Sequence, residues 1–125
     1  MFKILITDPI SQQGLDILED DNLEIIYKPK ITSDELESLI TDIDGWIIRS
    51  GTHITSKHIS DANKLSVIGR AGVGVDNIDI DAATNAGIVV MNLPDGNTIS
   101  AAEHTMSLLS ALSRNIHIGH QGIIE

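Results

Sequence analysis

An α/β fold built on a parallel, doubly wound sheet is predicted for this 125-residue chain by three observations. Short apolar runs rich in isoleucine and valine recur five times, bounded by Gly, Pro, Asp or Asn. Segments with apolar residues at helical spacing separate them, so strands and helices alternate. The 42% apolar and 21% charged content supplies a packed core and excludes a disordered chain. Right-handed crossovers between parallel strands then favour five strands in the order 2-1-3-4-5, the flavodoxin-like arrangement.

Each element has its own warrant. Residues 2–7 form the first strand, closed by Asp8-Pro9. Ser11 is placed to cap a first helix over residues 11–20, with Leu15, Ile17 and Leu18 as its apolar positions. Residues 23–27 are the second strand. Thr32, Ser33, Asp34 and Glu35 open a second helix whose Leu36, Leu39, Ile40 and Ile43 share one face. Residues 45–48 make the third strand, ending at Arg49-Ser50-Gly51, and a short helix over 57–62 leads to a fourth strand at 66–68. A small helix beginning at Ile80 is stopped by Gly87, and residues 88–91 supply the fifth strand.

The last segment differs from the rest. Ser100 and Glu103 stand in capping-box spacing and predict a long helix over residues 100–116. Ile99, Ala102, Met106, Leu109 and Ile116 make one apolar stripe, while Ala101, Leu108 and Leu112 make another. One sheet covers only part of such a helix, so the remaining face calls for a partner, and a homo-oligomer through this helix is expected. With Ile123-Ile124 near its end and no closing proline, the chain reads as cut rather than finished.

Chemistry concentrates after the fourth strand, where Gly69, Gly72 and Gly74 fall within six residues beside Arg70. Backbone without Cβ atoms can approach a ligand closely, and the amides of Val73 and Gly74 can turn outward as an anion-binding concavity. In open α/β sheets ligands bind outside the carboxyl ends of the strands. Arg49 and Ser50 follow the third strand there, and Asn97 follows the fifth. Two guanidinium forks plus backbone amides suit a small, doubly anionic molecule. The bland alternatives are that Arg49 lies over Trp46 or pairs with Asp44, and that Asn97 is a turn residue at positive φ. Asp8 before Pro9 reads as a turn residue rather than a metal ligand. His104 beside Glu103, and His117 with His120, do not amount to a metal site, and none is expected.

Net charge is −10 with only eight Lys and Arg, which argues against nucleic acid as a partner. No apolar run approaches the roughly 20 residues that span a bilayer. The N-terminus lacks signal-peptide character and the chain has no cysteine, so a cytoplasmic location without membrane contact is expected. A G-x-G-x-x-G that opens a helix is also missing, so no complete dinucleotide site is expected.

Three blocks carry a family resemblance: Ile48-Arg49-Ser50, the run from Val67 to Asp79 with Asp81-Ala82-Ala83 close behind it, and Asn97-Thr98-Ile99-Ser100-Ala101-Ala102-Glu103. Together they resemble the NAD-dependent D-2-hydroxyacid dehydrogenases over nearly the whole chain. The resemblance implies a substrate domain over residues 1–97 and an interdomain helix over 98–125 that leads into an absent nucleotide-binding domain. It implies hydride transfer between NAD and C2 of 3-phosphoglycerate, giving 3-phosphohydroxypyruvate at the start of serine synthesis. Glyoxylate or hydroxypyruvate reduction is the alternative within the family. In the family the Val73 and Gly74 amides would hold the substrate carboxylate, Arg49 and Arg70 the phosphate end or neighbouring oxygens, and Asn97 would lie beside the substrate. Thr105 matches the position facing the nicotinamide. The family's catalytic arginine, its glutamate-histidine pair, its glycine motif and a returning C-terminal helix would all lie beyond residue 125, so the chain alone is expected to be inactive. The rival from another class is a stand-alone doubly wound binding or interaction module. A receiver-type module would need an acidic residue after the third strand and a lysine after the fifth; the chain has Arg49-Ser50 and Asn92-Leu93-Pro94 there.

Overall fold

The computed structural model describes residues 1–124 and places them in two compact units, Met1–Pro94 and Asp95–Glu125; residue 125, the last of the expected 98–125 segment, lies outside the described residues. In the first unit five strands form one parallel sheet: β1 (Phe2–Ile6), β2 (Leu23–Tyr27), β3 (Gly45–Ile48), β4 (Val67–Arg70) and β5 (Val89–Met91). Their order is β2-β1-β3-β4-β5, as the alternating pattern predicts. The connecting helices are α1 (Gln12–Ile17), α2 (Ser33–Leu39), α3 (Ser56–Asp61) and α4 (Ile80–Asn85), with a 3₁₀ turn over Ile40–Asp42.

Helix starts follow side-chain chemistry. Ser11 accepts from the Gly14 amide, and Thr32 with Glu35 forms a reciprocal capping box. Asp79 caps α4 by accepting from Ala82, while Gly87 takes φ +73° just beyond it, a left-handed turn that costs glycine little.

Register explains the core. Leu5, Trp46 and Ile68 lie side by side on three central strands, all fully buried, and Ile48 shares their face. Leu36, Ile40 and Ile43 from the second helical segment, Ile59 from α3 with Ala62 at its C-cap, and Ala83 from α4 close over that face. The opposite face, with Ile4, Ile47, Val67 and Met91, is covered unequally. It carries an open apolar groove of about 350 Å³, reached by Leu18 just after α1.

Four local expectations are corrected. The first helix is shorter than residues 11–20 and buries no residue; Ile17 is 83% exposed and lies off its packing face. The fourth strand does not stop at Ile68, because Gly69 pairs with both Ile47 and Met91, and Arg70 pairs with Ile48. A Cβ at Gly69 would meet only Ile47, at 3.9 Å, so this glycine is strand rather than loop. In the second unit the long helix α5 spans Thr98–Ser113 with Asn97 as its N-cap residue, so the Ser100–Glu103 capping box does not form. Ser100 donates to the Asn97 carbonyl instead. The helix also ends before Ile116: Asn115 takes φ +52°, and a separate α6 (Ile116–Ile124) follows.

Surface charge is locally balanced near the base of the sheet. The Asp42 carboxylate accepts from Lys3 Nζ and Lys64 Nζ, both at 2.5 Å. The hydrogen bond from Lys3, then that from Lys64, and the charge of both lower its pKa to about 2. Glu37 is likewise lowered by its hydrogen bond from Lys57. Both clusters are well exposed, where ion pairs contribute little to stability.

Candidate functional site

Asp8, Arg49 and Arg70 all stand at the carboxyl edge of the sheet, after or at the ends of β1, β3 and β4. The loop that carries Arg49 and Ser50 is clamped from two sides. Asp8, only 7% exposed, takes the Arg49 amide at 2.7 Å and the Thr52 amide at 3.0 Å on a single carboxylate oxygen. Asn77, equally buried, donates its side-chain amide to the Arg49 carbonyl and to the Thr52 carbonyl, each at 2.6 Å. Both backbone donors of these residues thus go one way and both acceptors the other. Gly51 between them has no room for a side chain, since a Cβ would run into the Asp8 carboxylate. Thr7 and Thr52 hydroxyls meet at 2.8 Å, and the Trp46 indole donates to Thr7 at 3.0 Å, so the loop is tied to the centre of the core.

Asn77 also reaches the second arginine: Arg70 Nε donates to its Oδ1 at 3.0 Å. Neither arginine is in an ion pair among the described residues. Arg49 makes neither of the bland contacts available to it. Its guanidinium donates to the Pro9 carbonyl at 3.2 Å, Trp46 packs edge-on with His58, and Asp44 accepts from the Lys3 amide. The positive charge of both groups is therefore free to act on an anion.

The glycine loop supplies the amides. Gly72 donates to Arg70 and accepts from Leu93, while Asn92 donates to the Val73 carbonyl at 2.6 Å. Among the described residues the Val73 and Gly74 amides donate to no acceptor, and both residues are exposed. Their loop reaches this arrangement without a residue at positive φ, so Gly72 and Gly74 serve by space rather than by conformation. A Cβ at Gly72 would collide with the Arg70 guanidinium, and one at Gly74 would sit 2.9 Å from Asp76 Oδ1.

Arg49, Ser50, Arg70, Val73 and Gly74 thus stand together on the first unit. Asn97 and Thr105 belong to the second. Asn97 has φ −143°, not the positive φ of a turn residue, and its side chain makes no cap bond. Thr105 Oγ1 donates to the Ala101 carbonyl one turn earlier. Sequence reasoning gave Asp8 a turn and Asn77 no role. Their place just after a strand or a glycine loop was the only available signal, and burial is not visible in one sequence.

The dinucleotide implied by the resemblance has no cradle among these residues. After the glycine loop the chain turns at Asp76-Asn77 and enters the six-residue α4, so no long helix presents its N-terminus to a pyrophosphate. No group of three His, Cys, Asp or Glu able to hold a metal occurs among the described residues. No helix of the described residues is long and apolar enough to cross a membrane.

Comparison with known proteins agrees with the fold. The D-3-phosphoglycerate dehydrogenase of Methanocaldococcus jannaschii is 51% identical over 116 residues, and that of Homo sapiens 45% over 114. These alignments cover 93% and 91% of this chain, but the chain spans about a fifth of the length of the curated relatives it matches, 22% and 21%. Among solved structures, NAD+-bound 3-phosphoglycerate dehydrogenase of Entamoeba histolytica superposes with a TM-score of 0.74 at 33% identity, covering 86% of this chain and 38% of that one. A Pyrococcus horikoshii protein superposes with a TM-score of 0.83 at 28% identity, covering 98% of this chain and 37% of its own. The family profile of D-isomer specific 2-hydroxyacid dehydrogenases, catalytic domain, matches residues 4–122, and the chain belongs to that family.

Proposed function

We propose that this chain is the N-terminal, substrate-binding part of a dehydrogenase that transfers hydride between NAD and C2 of 3-phosphoglycerate, forming 3-phosphohydroxypyruvate for serine biosynthesis in the cytoplasm. The observation that carries the reading is the pair of arginines without carboxylate partners beside two undonated amides at the carboxyl edge of the sheet. The names of the relatives supply the substrate. Val73 and Gly74 amides receive the substrate carboxylate, and Arg49, Ser50 and Arg70 receive the phosphate end. Residues 1–97 form the substrate domain, and residues 98–125 lead towards a nucleotide-binding domain. Asn97 lies beside the substrate and Thr105 faces the nicotinamide. NAD is held mainly by that other domain, which also brings the acid-base group, so the 125-residue chain alone is inactive.

The reading is tested in the intact dehydrogenase with Arg70→Ala. Removing one charge-assisted hydrogen bond, worth about 1.5–3 kcal/mol, is expected to raise KM for the phosphorylated substrate about ten- to a hundredfold and for an unphosphorylated 2-hydroxy acid far less. Equal effects on both substrates would defeat the phosphate assignment.

The apolar surface of α5 supports a homo-oligomer in the same protein. Ile99, Met106, Leu108, Leu109 and Leu112 are all at least half exposed. Light scattering after size exclusion is expected to read a dimer or larger assembly, and a monomer at high concentration would remove this part of the proposal.

A further inference from the structure

We propose that Asn77 is a positioning residue that locks Arg70 and the Arg49–Thr52 loop into one preorganised anion receptor. The inference rests on the substrate reading above but goes beyond it, because Asn77 itself offers nothing to the substrate. Both amide hydrogens and the amide oxygen are already engaged inside the protein. Both Nδ2 hydrogens face carbonyls, those of Arg49 and Thr52, and Oδ1 faces the Arg70 Nε–H. This pattern dictates the orientation of the amide. Turned over, it would set an oxygen against two carbonyls and an NH₂ group against an N–H donor.

The consequences reach both arginines. A guanidinium held at Nε has its plane fixed, and its four terminal N–H donors are then aimed together rather than sampling a cone. Those donors have no protein acceptor among the described residues. Arg49 is tied by its main-chain carbonyl to the same amide, so the loop that carries Arg49 and the guanidinium of Arg70 are joined through one side chain. Burial protects the arrangement, since Asn77 is 7% exposed and water does not compete for it. The Asn77 main chain adds a further tie, its carbonyl accepting from the Ile54 amide at 2.9 Å. Glycine at position 72 leaves the space that the oriented guanidinium fills.

A residue acting through Arg70 leaves a signature that general destabilisation does not. In the intact dehydrogenase, Asn77→Ala and Arg70→Ala are each expected to raise KM for the phosphorylated substrate by about tenfold or more, with kcat within about threefold of wild type. Combined, they are expected to fall at least about fivefold short of the product of the single effects, because both substitutions remove the same hydrogen-bonded pair. Effects that multiply fully would show two independent residues and overturn the proposal. Arg70→Lys leaves Asn77 and its packing intact, which keeps the test valid should Asn77→Ala fail to fold. Lysine retains the charge but cannot hold a planar fork against Asn77, so its KM is expected within about threefold of the Arg70→Ala value. A wild-type KM for Arg70→Lys would show that charge without orientation suffices, and would overturn the proposal. Should Arg70→Ala leave KM unchanged for every 2-hydroxy acid, the substrate reading itself would fall, and the receptor with it.

Discussion

Replacing Trp46 with alanine is expected to cost about 3–5 kcal/mol, a large part of the roughly 5–15 kcal/mol that usually separates a folded domain from its unfolded chain. Trp46 is fully buried at the middle of the sheet, between Leu5 and Ile68 on neighbouring strands. Its ring meets His58 edge-on at a centroid distance of 6.0 Å, on the helix-covered face. Neighbours fixed in the sheet relax only partly into the volume it leaves. Trp46→Phe keeps most of that volume and deletes only the indole donor to Thr7, so a smaller loss of about 1–2 kcal/mol is expected. Urea unfolding followed by far-UV circular dichroism measures both, since the chain's single tryptophan is the residue removed. A Trp46→Ala midpoint equal to wild type would show that the core is not organised around this side chain. The same substitution should weaken the site, because Thr7 hands the connection on to Thr52.

Asp8→Ala is expected to produce the second largest effect, about 2–4 kcal/mol, by leaving the Arg49 and Thr52 amides without their acceptor. Both amides use one oxygen, so an asparagine whose carbonyl oxygen takes that place keeps the geometry and loses only the charge assistance. Asp8→Asn is accordingly expected to cost about 1 kcal/mol. Gly51→Ala attacks the same contact from the other side by pushing a methyl group into the carboxylate, and should resemble Asp8→Ala. Amide hydrogen exchange reads the result directly: residues 49 and 52 should exchange faster in Asp8→Ala and in Gly51→Ala, and nearly as slowly as wild type in Asp8→Asn. Unchanged exchange at both amides in Asp8→Ala would show that the loop is held by Asn77 alone.

Much of this architecture was legible in the chain itself. Five apolar runs and the intervening helical spacings were sufficient for the sheet and its order, because strand number, crossover handedness and burial leave few other solutions. The run Thr32 to Glu35, and Ser11, named the starts of two helices because capping is local chemistry. The Ser100–Glu103 pair has the same spacing and forms no box. Its helix begins two residues earlier, at Thr98, which places Ser100 inside the first turn. Local signals state what a segment can do, and the start of a helix depends on the chain before it.

At the site, residue types were readable and their supports were not. Arg49, Arg70 and the glycine loop could be placed at the carboxyl edge from strand order alone, since a parallel sheet brings those strand ends together. That Asp8 and Asn77 clamp opposite sides of one loop could not be read, because the hydrogen bonds join residues 41, 44, 25 and 28 positions apart. The alternation of apolar and polar residues is a one-dimensional signal and determines the sheet, its order and the edge where charge collects. Which buried amide meets which guanidinium is settled only when distant strands pack, because hydrogen-bond partners are chosen by distance and direction in space and not by separation along the chain.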